Sequence, residues 1–359
     1  MIYFIIGTKA QLIKMAPVVK AADEKSLPYR FIFTGQHRDT VAEISANFKI
    51  RPPDYTIYEG PDIVSIPSMV VWAVKVLWRT YRDRRRIFVY GDKGIALVHG
   101  DTFSTLLGSL MAKIGRQKVG HVESGLRSFN LFNPFPEEVI RLLVFRLADI
   151  YFCPGSWAAT NLSQHKGRVV NTERNTLHDA LSHALVAVDD INVEIPDYPF
   201  SVVSLHRYEN IFRRSALSRI LDIVEHVAKQ HRLIFVLHNA TEKKLRQFGL
   251  YDRVESNRNI RLENRYDYFD FIKLLNHSEF VISDGGSNQE ECAYLGKPIL
   301  LLRKATERKE GIGYNCVVSN YNREAVDDFL RDYKSMKVEV FPPALKPSDI
   351  ILEHVRGVA

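Results

Sequence analysis

Short apolar runs that end in a glycine- or acid-bearing turn, with a helical pattern next, recur along this chain. Tyr3–Ile6 ends at Gly7-Thr8-Lys9 and is followed by a helical pattern through Ala22. Arg30–Thr34 ends at Gly35-Gln36-His37, Ala96–His99 at Gly100-Asp101-Thr102 before a helix over Ser104–Ile114, and Lys118–Val122 at Glu123-Ser124-Gly125. Further strands are predicted at Ile87–Tyr90 and Ile150–Cys153. Strands alternating with helices predict a parallel α/β sheet. Such sheets bind ligands outside the carboxyl ends of their strands, so these turns are the first places to look for a site.

The rhythm restarts past residue 170. Strands are predicted at Phe200–Ser204, Leu233–Leu237, Asn259–Leu262, Phe280–Ile282 and Ile299–Leu302, with helices over Ser215–His231 and from after the turn Ser283-Asp284-Gly285-Gly286 through Leu295. The reading is two facing α/β domains, 1–170 and 171–340, with the linker near Pro196-Asp197-Tyr198-Pro199. At roughly 150 residues per domain, a chain of 359 residues suits that division. Lys and Arg number 49 against 42 Asp and Glu, a formal charge of +7 that favours acidic partners: nucleic acid, anionic membrane or phosphorylated small molecules. Three cysteines, Cys153, Cys292 and Cys316, are too scattered for a disulfide framework or a zinc motif. The first apolar run has no basic region before it and reads as a strand, not a signal peptide. Val70–Trp78 is broken by Lys75 and is too short to cross a bilayer as a helix.

Each turn has a functional and a plainer reading. Gly7-Thr8-Lys9, running to Lys14, can hold an anion at a helix start or be a simple turn; it is neither G-x-G-x-x-G nor a P-loop. Glu137 and Glu138 suit a first helical turn as capping charges. Capping does not explain Asp101 and Glu123, both at strand ends, and acids converging on one site can be given different protonation states for acid/base work. His206 follows a strand with Arg207, Glu209 and Asn210 beside it. Ser283-Asp284-Gly285-Gly286-Ser287-Asn288-Gln289-Glu290-Glu291 joins a strand to a helix through glycines, a form suited to a diphosphate, and its acids can accept from sugar hydroxyls. Lys297, Arg303, Thr306, Glu307 and Arg308 continue this polar lining, some of them as solvent charges.

Between Lys75 and Lys93 lie Lys75, Arg79, Arg82, Arg84, Arg85, Arg86 and Lys93, against only Asp83 and Asp92. Residues 72–93 can form a basic amphipathic surface for an anionic membrane or a partner, or a solvated helix end with Trp72 and Trp78 in the core; the plainer reading is preferred. No nucleic-acid module or aromatic-basic platform is visible, so no nucleic-acid partner is expected.

Taken in order, these segments resemble the UDP-N-acetylglucosamine 2-epimerases. The resemblance covers roughly residues 1–330 and rests on G-T-K-x5-K at 7–14, G-Q-H at 35–37, H-G-D-T-x-S-T at 99–105 and G-H-V-E-S-G-L-R at 120–127. It continues through P-x-P-E-E at 134–138, N-T-x-x-D at 175–179, H-R-x-E-N at 206–210, the Q-E-E segment at 283–291, and L-G-K-P with R-x-x-T-E-R at 295–308. It implies two Rossmann-like domains of the glycosyltransferase-B type, usually in a homodimer, with a UDP-sugar as substrate and neither metal nor nicotinamide. It also implies a last helix returning to the first domain, a part that Pro347–Val355 in the 341–359 segment can play. The implied reaction inverts C2 of UDP-GlcNAc by eliminating UDP to a glycal and adding it back.

By motif, Asp101, Glu123 and Glu137 are then the acid/base group around the sugar, and His206 assists at the leaving diphosphate. Lys14 and Arg127 supply electrostatics, while Gly286, Ser287, Glu291 and Arg308 bind UDP. Lys9, His37, Arg141, His238 and Gly285 complete the implied substrate-binding set. The chain departs from the family pattern in several places: Lys9-Ala10-Gln11 replaces an Arg-Pro-Glu, Asp284-Gly285-Gly286-Ser287 an Asp-Ser-Gly-Gly, Arg174-Asn175-Thr176 a Gly-Asn-Thr, and His238-Asn239-Ala240 a His-x-Asn-Pro. The implied place of action is the cytoplasm, supplying polysaccharide of the cell envelope. A hydrolysing relative that releases ManNAc, a glycosyltransferase of the same fold, and a non-catalytic sensor are the competing readings. The acids and His206 together speak against the sensor.

Overall fold

The structure is a computed structural model that describes all residues except 37–40, 61–62, 64–65, 90–92, 132–134, 188–192, 341–342 and 358–359. The chain divides into two compact units, Met1–His183 with Pro343–Ala359, and Ala184–Pro342. The first holds a parallel sheet of seven strands: β1 (Ile2–Ile6), β2 (Tyr29–Phe33), β3 (Tyr55–Thr56), β4 (Ile95–His99), β5 (Lys118–Val122), β6 (Ile150–Cys153) and β7 (Arg168–Asn171), in the order β3-β2-β1-β4-β5-β6-β7. β7 is the edge strand of this sheet, so the first unit continues past the boundary expected at residue 170.

The second unit repeats the plan with six parallel strands: β8 (Ser201–Leu205), β9 (Leu233–Leu237), β10 (Ile260–Asn264), β11 (Val281–Ser283), β12 (Ile299–Leu301) and β13 (Cys316–Val318), in the order β10-β9-β8-β11-β12-β13. β1, β4, β8 and β9 are buried at every residue, as strands covered on both faces must be. One core gathers Tyr3, Ile5, Val98, Met111, Phe145 and Trp72; the other gathers Val203, Phe235, Phe280, Leu300 and Phe329.

Chain order reverses at the same point in both sheets. After β3 the chain crosses to the far side of β1 as β4, and after β10 it crosses to the far side of β8 as β11. Loops diverge there and open a crevice at the strand ends. The sequence-predicted residues Gly7, Asp101, His206 and Asp284 follow β1, β4, β8 and β11.

The strand expected at Ile87–Tyr90 is not one. Ile87 ends a helix, Ile66–Ile87, and Tyr90 lies outside the described residues. Trp72 and Val76 anchor this helix in the core, and Arg84, Arg85 and Arg86 sit in its last turn, where cations favour the negative end of the helix. Residues 347–356 form the final helix, which packs on the helix Lys9–Glu24. Its first turn is held by Asp179 Oδ2, which accepts from the Ser348 N–H at 2.8 Å and the Ser348 hydroxyl at 2.5 Å. Among the described residues, no helix is long and apolar enough to cross a membrane.

Candidate active site

The turn after β1 settles what its glycine does. A Cβ on Gly7 would lie 2.1 Å from Ser104 Oγ and 2.2 Å from Thr34 Oγ1, so neighbouring loops leave room only for glycine. The Gly7 and Thr8 N–H groups both donate to Gln11 Oε1, at 2.9 and 3.2 Å. Gln11 Nε2 donates in turn to the His99 carbonyl and the Thr105 hydroxyl, at 2.8 and 2.9 Å. One buried amide thus joins the ends of β1 and β4, and the two N–H groups that an anion would use are already engaged by the chain itself.

Glu123 is the centre of the first unit's polar cluster. It is 7% exposed and stands just past β5 at φ 61°, a left-handed conformation in which a non-glycine residue is strained and which concentrates at functional sites. Its Oε2 accepts from Lys14 Nζ and from Asn175 Nδ2, and His99 Nε2 lies 3.8 Å away. Lys14 comes from the first helix and Asn175 from the loop before Leu177–Val186, so two further elements fix this carboxylate.

Asp101 belongs to a second, linked set. Arg141 Nη2 donates to Asp101 Oδ2 at 2.5 Å, and Arg141 Nη1 lies 3.2 Å from Glu138 Oε2. Arg127 Nε donates to Glu138 Oε1 at 2.5 Å, and the Ser128 N–H to Glu138 Oε2 at 3.1 Å. Glu138 is therefore a fully buried clamp between two arginines, a tertiary role beyond the capping charge suggested by its place in the first turn. Burial pushes its carboxyl up, but Arg127, the Ser128 N–H and Arg141 outweigh burial and hold it below the usual carboxylate range. Glu137 opens the same helix. Asp101, Arg127 and Arg141 are thus joined through Glu138, and Lys14 joins Glu123.

Lys9 Nζ lies 3.6 Å from Glu43 Oε1. His37 lies outside the described residues. Only half of the basic segment's plainer reading holds. Trp72 is buried and donates to the Thr34 carbonyl at 3.2 Å, whereas Trp78 is 58% exposed. Trp78 belongs to an exposed apolar stripe with Val71, Val74 and Tyr81, and Arg82 and Arg84 lie over the Trp78 and Tyr81 rings.

In the second unit Asp284 is the organiser. Fully buried, it accepts from the His206 and Arg207 N–H groups, each at 3.0 Å, and from Asn210 Nδ2 at 2.9 Å. The His206 ring stacks on His238 with centroids 4.5 Å apart, and His238 Nε2 lies 3.3 Å from Ser204 Oγ. Desolvation pulls His206 below the ordinary histidine range, with Asp284 opposing.

The helix Gly286–Leu295 ends where the sequence placed its end and begins at Gly286, which the sequence read as the last residue of the turn; Gly285 is its N-cap residue. Its first-turn N–H groups, from Gly286, Ser287 and Asn288, have no acceptor within the helix and form its positive end. A Cβ on Gly286 would meet Arg308 Nε at 2.7 Å, and Arg308 Nη1 pairs with Glu290 Oε1 at 2.5 Å. Glu291 Oε2 accepts from Asn288 Nδ2 at 2.9 Å. Gln289 ties this helix to the loop after β12, accepting from the Thr306 hydroxyl at 2.7 Å and donating to the Glu310 carbonyl at 2.9 Å.

Burial raises the Glu307 carboxyl, but Arg303, Arg308 and Arg207 together bring it down to about 2 from an ordinary 4.5. A group depressed on folding stabilises the fold above its unfolded value and loses that contribution as pH falls through the folded one. Glu307→Gln is therefore expected to flatten the acid limb of unfolding of the second unit between about pH 5 and pH 2, followed by chemical denaturation at stepped pH. An unchanged acid limb contradicts that pairing.

Gln11, Glu138, Asn175 and Asp284 were given no site role of their own by the sequence, although Glu138, Asn175 and Asp284 stand within quoted motifs; Glu290 was read there as an acceptor for hydroxyls and Glu307 as polar lining. Among the described residues, no group of three or more His, Cys, Asp or Glu is arranged to hold a metal ion.

Two parallel-sheet α/β domains with polar clusters at their strand ends define an enzyme of the glycosyltransferase-B-like fold. Residues 20–340 match the sequence profile of UDP-N-acetylglucosamine 2-epimerase. A UDP-N-acetylglucosamine 2-epimerase of Campylobacter jejuni is 31% identical over 332 residues, 87% of this chain and 83% of its own. One of Methanocaldococcus jannaschii is 29% identical over 340 residues, 89% and 88% of the two chains. The crystal structure of UDP-GlcNAc 2-epimerase from Neisseria meningitidis bound to UDP-GlcNAc superposes with a TM-score of 0.84 at 26% identity, covering 99% of each chain. The chain belongs to the UDP-N-acetylglucosamine 2-epimerase family.

Proposed function

We propose that this protein interconverts UDP-GlcNAc and UDP-ManNAc without consuming UDP. The observation that carries the reading is Glu123: a strained, buried carboxylate at a strand end, aimed by Lys14 and Asn175. C2 of the sugar has no adjacent carbonyl, so its proton is not acidic enough for enolisation. Elimination avoids that difficulty. Glu123 takes the C2 proton, the C–H electrons form the C1–C2 double bond, and the C1–O bond breaks with its pair leaving on UDP. A second carboxylic acid, Asp101 or Glu137, then protonates C2 from the other face as the UDP oxygen bonds again to C1. General acid/base help of this kind contributes about 10²- to 10⁴-fold.

The leaving diphosphate needs preorganised positive charge. The first-turn N–H groups at Gly286, Ser287 and Asn288, with Arg308 and His206, are our assignment for it, and Glu291 is our assignment for the ribose hydroxyls. Gly285 and His238 support this group. Protein incubated with UDP-GlcNAc alone is expected to form UDP-ManNAc, read by chromatography. Free ManNAc with UDP indicates a hydrolysing relative, and turnover only with an acceptor indicates a transferase.

We further place this activity in a cytoplasmic homodimer serving cell-envelope polysaccharide synthesis. The stripe Val71, Val74, Trp78 and Tyr81 has the three- and four-residue spacing of a helix-pairing seam, and supports it as the dimer contact. Trp78→Glu is expected to halve the mass seen by light scattering. An unchanged mass, together with wild-type retention on anionic vesicles, would reassign residues 72–93 to a membrane surface.

A further inference from the structure

His121 is a buried titratable group that the proposed chemistry does not use. It lies on β5 and is 1% exposed. Its Nε2 is 2.8 Å from the Gly100 carbonyl, and its Nδ1 is 2.8 Å from the Ser124 hydroxyl. A carbonyl only accepts, so the ring proton is on Nε2, and Nδ1 accepts from Ser124. The ring also packs against Phe145, with centroids 5.8 Å apart.

Both partners adjoin an acid of the candidate site. Gly100, at φ 70°, precedes Asp101, and Ser124 follows the left-handed Glu123. The backbone joins the same two turns less directly, through the Gly100 N–H to the Val122 carbonyl at 2.9 Å. The turn after β4 and the turn after β5 therefore share one imidazole. We propose that His121 is a positioning residue: a strut that sets the spacing of Asp101 and Glu123 by holding the Gly100 carbonyl and the Ser124 hydroxyl together. The proposal rests on the reading of Asp101 and Glu123 as the groups that act at C2.

Neutrality is built into the surroundings. Burial draws His121 down to about 4, more than the bond to the Gly100 carbonyl, Asp101 and Glu123 draw it up, and Arg141 adds to the lowering. Asp101, Glu123 and Arg141 are the charged groups that act on it most strongly. Over the pH range in which the enzyme works, the strut holds one tautomer and takes no part in proton transfer. An error of about an ångström in a reacting group can cost on the order of 10²-fold in rate.

Three variants and one spectrum test this. His121→Phe keeps the ring and loses both bonds; it is expected to lower kcat on the order of 10²-fold with UDP affinity within about twofold of wild type. Ser124→Ala breaks one arm and is expected to lower kcat roughly tenfold. His121→Gln offers one donor and one acceptor from an amide that cannot titrate, and is expected to restore kcat to within roughly fivefold of wild type with an unmoved pH profile. In wild-type protein labelled with 15N-histidine, the His121 ring is expected to show the Nε2–H tautomer throughout about pH 5 to 9.

Wild-type kcat in His121→Phe overturns the proposal, as does a loss of UDP affinity as large as the loss of kcat. Titration of the wild-type ring within that range, or a His121→Gln variant as inactive as His121→Phe, replaces the strut with an acid/base role. Should wild-type protein fail to exchange C2 at all, the epimerase reading falls, while the nitrogen spectrum still tests the tautomer and the neutrality of the ring.

Discussion

Glu123→Gln is expected to lower kcat for C2 inversion by about 10³-fold while leaving UDP-sugar affinity within about threefold of wild type. The amide cannot accept a proton from carbon, so the elimination loses its base. Binding survives because the fold around residue 123 can be kept. Lys14 and Asn175 both donate to the same carboxylate oxygen, Oε2. A glutamine that turns its amide oxygen to that position still accepts from both, so the buried ammonium keeps a polar partner. Calorimetric titration with UDP-GlcNAc and chromatographic turnover separate the two effects. Near-normal turnover would remove Glu123 from the catalytic set; loss of binding equal to the loss of turnover would give it a structural role instead.

Asp284→Ala is expected to cost the second unit about 3 kcal/mol of stability and to abolish the thermal shift that UDP produces in wild-type protein. The cost follows from the three donors that the carboxylate satisfies, two from the backbone and one from Asn210. An alanine leaves all three in a place where Asp284 itself is wholly buried, and each orphaned donor costs about 1–3 kcal/mol before relaxation. The same bonds fix the loop that carries His206 and Arg207, so the expected functional loss follows from a packing fault, not from removal of a group that touches UDP. Differential scanning fluorimetry with and without UDP reads both. A wild-type melting point in Asp284→Ala contradicts the organiser role, and a retained UDP shift separates the His206 loop from the nucleotide.

Strand ends carried most of what the sequence disclosed. A strand covered on both faces is a run of apolar residues, and ligands of such sheets bind beyond its last residue, so the places of Asp101, Glu123, His206 and Gly286 in the turns after the strands were legible from the pattern. β5, β6 and β9 fall on the residues that the pattern predicted. β3, β7 and β13 escaped it because they are edge strands of two to four residues, too short to show a period. The pattern failed at Ile87–Tyr90 because an apolar pair buried at a helix end looks locally like the start of a strand, and periodicity cannot separate the two over so few residues.

Pairing was the part that could not be read. Glu138 looks like a helix-capping acid until Arg127 and Arg141 close on it from different places in the chain. Gln11 looks like an ordinary helix residue until its amide reaches the end of β4, 88 residues away. The turn at Gly7, which the sequence left open between anion site and plain turn, is decided by that contact. In each case the local sequence supplies a chemically versatile side chain, and its use depends on which distant element the topology brings beside it.

The C2–H bond is expected to break and reform during turnover. The direct measurement is proton NMR of UDP-GlcNAc incubated with the protein in D2O and no acceptor. UDP-ManNAc is expected to appear, with deuterium in place of hydrogen at C2 and the sugar still linked to UDP at equilibrium. Formation of UDP-ManNAc with hydrogen retained at C2 would contradict that expectation.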